Sequence, residues 1–221
     1  MPEDEPSRPT LRDRKKQKLR NVILDAAMRL FLTRGYERTT LESVCEEAET
    51  SLRTLLRYFP SKEVLALGRE FVALEEFKVA LASLDPATPV IMFWRDRIDH
   101  SSRAVEAKSY LARLKLFDQV PAIEAKMLAL QVIYEDLLTE AFAREVGVDA
   151  DQDLSARMLA AMLIAGNRAA TRRWVASDGK LDLAKQRVAA IDWAIEHFPI
   201  PPNNAKVAGP RRRSSALEAA P

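Results

Sequence analysis

The stretch SLRTLLRYFPSKEVL, Ser51 to Leu65, sets two arginines, a threonine and a tyrosine among leucines and then breaks at Pro60. Ser51 is a good N-cap residue, so a helix begun there runs to about Phe59 before the proline stops it. At ~100° per residue, with Leu55 at zero, Phe59 falls at about 40° and Leu52 at about 60°, while Arg53 and Arg57 fall at about 160° and about 200°. Leu55 and Phe59 therefore point to a core, and the arginines point away from it. Thr54 and Tyr58 flank them on one side and Leu56 on the other, giving a face of cations, hydroxyls and one aliphatic group.

The segments around it decide whether that face is merely solvated. Upstream, RNVILDAAMRLFLTRGYE carries Val22, Ile23, Ala26, Ala27, Leu30 and Phe31 at helical spacing, with Gly35 placed for a left-handed cap. Next, TTLESVCEEAETS predicts a short helix capped by Thr39 or Thr40, with Glu42 at capping-box spacing from Thr39 and Leu41, Val44, Cys45 and Ala48 on its apolar side. Two short capped helices across a tight connection have the spacing of a helix-turn-helix, whose second member enters a major groove. Ser61 and KEVLALGREFVALEEF then predict a longer helix with Lys62 in its first turn, beside free N–H groups that attract phosphate.

Charge points the same way. Net charge is +2 overall, yet from Arg8 to Lys62 thirteen cations face seven anions, a local +6. A basic N-terminal block on a near-neutral body suggests a polyanionic partner for that block alone. Arg8 to Arg20 reads as a flexible basic arm, able to track a backbone or enter a minor groove.

The whole chain, 221 residues with 48% hydrophobic and 30% charged, suits a globular protein with a real core. Six glycines and no sustained period-2 pattern of β-branched residues predict an all-α fold. No apolar run approaches the ~18 residues needed to span a bilayer, and the opening residues lack the apolar centre of a secretory signal. The expected location is the cytoplasm, on the nucleoid, without membrane. The single cysteine, Cys45, excludes an internal disulfide, and with His100 and His197 far apart no metal or other cofactor is expected. Asp99, His100 and Ser101 imitate a triad, but adjacent helical residues project about 100° apart and cannot form the relay. With no GxSxG, P-loop, GxGxxG or HExxH, an enzyme is not expected.

The array AAMRLFLTRGYERTTLESVCEEAETSLRTLLRYFPSKEVL resembles the DNA-binding region of the tetracycline-repressor (TetR) family, from about Arg20 to Leu65. Within it, RT..RYFPSKE looks like the branch of mycofactocin-type regulators with acyl-CoA-like ligand domains. The resemblance implies that Ser51, Leu52 and Arg53 approach bases, with Arg53 suited to a bidentate contact to guanine. It also implies phosphate contacts from Thr40, Thr54, Tyr58 and Lys62; Leu56 and Arg57 join the surface from the helical wheel. The chain departs from the family in carrying Glu49 where the turn usually has glycine, Thr50 for a small aliphatic, Leu56 for a frequent aromatic, and Cys45 for alanine.

The implied plan is a flexible arm over 1–19, a three-helix helix-turn-helix domain over 20–66, a larger helical ligand-binding and dimerisation bundle over 67–199, and a disordered tail over 200–221. In that bundle the turn DPATP precedes VIMFWRDRIDH, AIEAKMLALQVIYEDLLTEAFAREVG ends at Gly147, and two further helices run to Gly179 and to Pro199. Leu159, Met162, Leu163 and Ile164 cover more than one side of the penultimate helix, enough for a core and a partner; Val188, Ile191, Trp193 and Ile195 are expected to pack the last helix beside it. Met92, Phe93, Trp94, Tyr110, Leu114, Phe117, Met127 and Met158 are candidate pocket walls, with Arg95, Arg97, Arg113, Arg168, Arg172 and Arg173 as candidate cations for an anionic ligand. The expected function is a ligand-responsive repressor, homodimeric through its last two helices, binding a pseudo-palindromic double-stranded operator and released by a small hydrophobic or acyl-CoA-like effector. The competing readings are a helical acyl- or lipid-carrier with only non-specific polyanion affinity, and an architectural DNA binder without a sensor.

Overall fold

The computed structural model describes residues 10–198. Its elements are α1 (Leu11–Arg34), α2 (Leu41–Glu47), α3 (Leu52–Tyr58), α4 (Lys62–Ala66), α5 (Gly68–Ala82), α6 (Val90–Ala104), α7 (Ala107–Asp118), α8 (Pro121–Val146), α9 (Leu154–Ala176) and α10 (Leu183–His197), with no strand among the described residues. The fold is all-α, as the composition implied. The tail over 200–221 and the first nine residues lie outside the described residues.

The basic arm is corrected from Leu11 onward. Thr10 and Asp13 form a reciprocal capping box, Asp13 N–H donating to Thr10 Oγ1 at 3.2 Å and Thr10 N–H to Asp13 Oδ2 at 3.1 Å. Residues 11–19 are thus the first turns of α1, and Arg12, Arg14, Lys15, Lys16 and Lys18 lie exposed on a rod rather than a flexible strand. At α1's other end Gly35 takes φ 87 and ψ 153, a positive-φ stop but not the left-handed helical cap expected.

Hydroxyl caps organise the next three helices: Thr40, Ser51 and Ser61 accept from the backbone N–H of Ser43, Thr54 and Val64. Thr39 is not a cap and makes no box with Glu42; it is buried and donates to Gly35 O at 2.9 Å. The single helix expected after Ser61 is broken at Leu67 into α4 and α5. Gly68 presses on α1 there: a Cβ would collide with Leu24 Cδ2 and lie 2.9 Å from Phe59 Cε1.

α9 lies between α8 and α10, and α10 also packs on α6. α10 is held to that core by Ile191 and Ala194, whereas Trp193, expected to pack inward, is 52% exposed and stacks on His197. Two apolar cores result. One joins Phe77, Ile91, Trp94, Leu138, Phe142, Leu163 and Ile191 inside the body. The other begins with Ile23, Phe31, Val44, Leu55 and Phe59 and continues without a break through Leu67 and Leu74 to Phe117 of α7, Val120 in the connection after it, and Ile123 and Leu130 of α8. The boundary expected at 66/67 is therefore bridged by one core.

Candidate nucleic-acid interface and internal cavity

α3 is a seven-residue helix whose orientation is set by two anchors, Leu55 at 0% and Phe59 at 1% exposure. Full burial of each contributes ~1.5–3 kcal/mol, enough to fix the helix's phase. Arg53, Leu56 and Arg57 are exposed, Thr54 and Tyr58 half-buried. Ser51 Oγ donates to Thr54 Oγ1 at 2.9 Å, and the Arg57 guanidinium lies 5.3 Å from the centre of the Tyr58 ring. Leu52, placed on the inner side by the wheel, sits at the rim, 36% exposed.

The turn before α3 passes through Glu49 at φ 49, a left-handed conformation that favours glycine. Thr50 N–H to Cys45 O at 2.9 Å closes it. Cys45 is buried, and burial, aided by Glu42, pushes its thiol up. Thr40 is exposed at the start of α2. Lys62 sits close by, its ammonium 4.2 Å from the Tyr36 ring centre and within 3.4 Å of Glu37 O. Tyr36 in turn donates to Glu63 Oε1 at 3.1 Å, so one ring ties the end of α1 to α4. The structure gathers Thr40, Ser51 to Arg53, Leu56, Arg57 and Lys62 around the α2–α3 unit, with Arg20 packed over Phe59 behind it.

In the body a cavity of about 360 Å³ opens among α5 to α10. Trp94, Tyr110, Leu114, Phe117 and Met127, all candidate pocket walls, line it, with Arg113, a candidate cation. Phe93 and Met158 do not: Phe93 packs in the body core 5.7 Å from Phe77, and Met158 is 66% exposed on the outer face of α9. Met92 is also turned outward, 39% exposed. A helix inside a bundle has two apolar neighbourhoods, and spacing alone does not say which one a residue meets.

The wall is aromatic and charged. Phe77 touches Trp94 edge-on at 5.6 Å and Tyr134 at 5.0 Å, and burial pushes the Tyr134 phenol up to about 12. Arg113 pairs with Glu70 at 3.0 Å; burial pushes the Glu70 carboxyl up against the opposing pull of Arg113. Arg97, Arg168 and Arg172 also line the cavity, while Arg95 instead pairs with Asp192 at 2.6 Å. Glu70 Oε2, Trp94 Nε1, Arg113 Nε and Asn167 Oδ1, all in lining residues, are buried without a partner. Several wall residues were not singled out by the sequence, among them Phe77, Tyr134, Thr171 and Arg187; Arg187 is an arginine on an amphipathic helix, buried only because α6, α7 and α9 converge on it. Asp99 and Ser101 are spent locally, on Arg103 and Ile98 O.

The cavity reaches the reading head by two routes. Arg69, a lining residue on α5, pairs with Asp25 of α1, and Phe117 both lines the cavity and belongs to the head's core.

A family model of bacterial regulatory proteins, tetR family, matches residues 23–68, and a model of the MftR C-terminal domain matches 99–198. The HTH-type transcriptional regulator TcmR of Streptomyces glaucescens is 32% identical over 177 residues, 76% of this chain and 78% of TcmR. The HTH-type transcriptional repressor KstR of Mycolicibacterium smegmatis is 42% identical over 73 residues, 32% of this chain and 35% of KstR. Among solved structures, Thermus thermophilus FadR in complex with lauroyl-CoA superposes with a TM-score of 0.53 at 24% identity, covering 86% of this chain and 100% of that one. SmeT, the repressor of the Stenotrophomonas maltophilia efflux pump SmeDEF, gives 0.59 at 19% identity, covering 80% and 88%. At those identities the likeness is one of fold. The helix-turn-helix head, the MftR-type body and the extent of the match to TcmR together place this chain in the tetR family of bacterial transcriptional regulators.

Proposed function

We propose that the protein is a ligand-responsive repressor acting in the cytoplasm on the nucleoid, binding a pseudo-palindromic operator as a homodimer. The observation that carries this is the α3 surface: Arg53, Leu56 and Arg57 held outward by Leu55 and Phe59, at the end of a body that contains a cavity. Arg53, with Ser51 and Leu52, reads base edges. Thr40, Thr54, Tyr58 and Lys62 contact phosphates and set the register.

The dimer forms through α9 and α10. Met158, Ala165 and Ala169 of α9 and Ala189 and Trp193 of α10 are exposed, which leaves an apolar and small-residue face of the kind a four-helix contact needs.

A small hydrophobic or acyl-CoA-like effector in the cavity shifts α7 and α8, and through Phe117 and the Arg69 to Asp25 pair the head moves with them. If the effector prefers the non-operator conformation ~100-fold, the coupling is ~2.7 kcal/mol. An architectural DNA binder would have no use for such a cavity, and a carrier protein none for the α3 face.

The test is selection of bound duplexes from a random pool, followed by titration of the best site with wild type and Arg53→Ala. The expected loss is ~1–3 kcal/mol with relaxed preference at one base position, and a steep fall of wild-type affinity with salt. Equal affinity of Arg53→Ala for every duplex, or binding indifferent to salt, refutes the reading.

A further inference from the structure

Arg187 is 8% exposed and donates three hydrogen bonds, Nε to Thr171 Oγ1 at 2.9 Å, Nη1 to Ser102 Oγ at 3.2 Å and Nη2 to Tyr110 OH at 2.9 Å. All three acceptors are neutral hydroxyls, one each from α9, α6 and α7, and no carboxylate pairs with it within 4.0 Å among the described residues. A guanidinium keeps its charge in a protein interior, and a buried charge without a counter-ion is costly. Arg113, by contrast, has Glu70 at 3.0 Å, and Arg172 has Glu124 at 3.7 Å. Arg97 and Arg168 also line the cavity with no carboxylate in range among the described residues, but both are only half-buried, so the buried uncompensated cation of this wall is Arg187 on α10.

A guanidinium carries five N–H donors, so the three bonds leave one N–H free on each terminal nitrogen. Two free donors on adjacent nitrogens suit two oxygens of one carboxylate. Arg187, Tyr110 and Thr171 all line the cavity, whose remaining wall includes Phe77, Trp94 and Tyr134. About 360 Å³ is at the small end of the range of ligand pockets, ~300–1,000 Å³. We infer that Arg187 is the anion receptor of the cavity and that its ligand is a compact amphipathic carboxylate, with the carboxylate on Arg187 and the apolar body against the aromatic wall. This rests on the reading that the cavity takes an effector, and it narrows that effector to a free acid rather than a thioester.

Titration calorimetry on the full-length protein tests it with decanoate, decanol, naphthoate, naphthalenemethanol and decanoyl-CoA, against wild type, Arg187→Gln and Arg187→Lys. At least one acid is expected to bind roughly 10- to 100-fold more tightly than its matched alcohol, the worth of charge-assisted hydrogen bonds. That preference should vanish in Arg187→Gln and survive in part in Arg187→Lys, which keeps the charge but loses the fork. If Arg187→Gln does not fold, the acid-to-alcohol ratio on wild type decides alone. Equal binding of acid and alcohol, no binding by any compound, a preference that survives Arg187→Gln, or decanoyl-CoA binding equally to wild type and Arg187→Gln overturns the assignment. Duplex titration on the same preparations keeps the two readings apart. Sequence-selective DNA binding without acid preference removes only the anion receptor, whereas acid preference without selective DNA binding supports the receptor and removes the regulator.

Discussion

Glu49→Gly should make the protein more stable. Glu49 sits at φ 49 in the turn that joins α2 to α3, where an L-residue pays ~1–2 kcal/mol for its Cβ. Glycine removes that strain but frees the unfolded chain, which returns ~0.5–1 kcal/mol of the gain. The side chain is exposed, and no packing is lost. The net is a stabilisation of ~0.5–1 kcal/mol, which for a chain of this size is a rise in Tm of ~1–4 °C. Thermal melts followed by far-UV circular dichroism measure it, with Glu49→Ala and Glu49→Gln as controls that keep the Cβ and should not stabilise. Glu49→Gln also separates charge from strain, since it should strengthen duplex binding through lost repulsion while leaving Tm in place. A Tm lowered by glycine, or raised equally by alanine, would refute the reasoning.

Leu55→Ala removes a fully buried anchor of α3 and should cost ~2–5 kcal/mol, read as a lower urea midpoint, with DNA binding lost in parallel. Met158→Glu with Trp193→Glu should convert a dimer to a monomer in light scattering; an unchanged mass excludes the α9–α10 face as the interface. Cys45 should react with a disulfide reagent at least about tenfold more slowly in the folded protein than in urea, and rapid labelling of the native chain would contradict its buried place. Glu70 titrates above its ordinary value of 4.5, so its contribution to stability is complete below 4.5 and is lost as pH climbs through its raised folded value. Glu70→Gln should remove that downward slope from a plot of stability against pH, and a slope of the opposite sign in the wild type-minus-mutant difference would contradict burial as the dominant cause.

What could be read from residues alone was whatever depends on near neighbours along the chain. Ser51 and Ser61 cap where expected because a cap needs only its own backbone three residues on, and Gly147 ends α8 in the left-handed region for the same reason. The phase of α3 followed from Leu55 and Phe59. The Thr10 and Asp13 box was equally local, but it was hidden by the density of cations after it, which read as an arm. The break at Leu67 has no such signal: it exists because Gly68 must lie against Leu24, a contact 44 residues away in the chain. Met158, Phe93, Trp193 and Arg187 share a different difficulty. Each lies on a helix with more than one apolar side, and only the assembled bundle decides whether it meets core, cavity or surface.

The unbroken core from Ile23 through Phe59 to Phe117, Val120 and Ile123 makes the reading head a poor module for transplantation. Cut after residue 66, it would present to water the surface that α7 and α8 now cover, so a chimaera that borrows this operator preference must carry that stretch of α7 and α8 along. For the same reason, heating should melt head and body in one step rather than two.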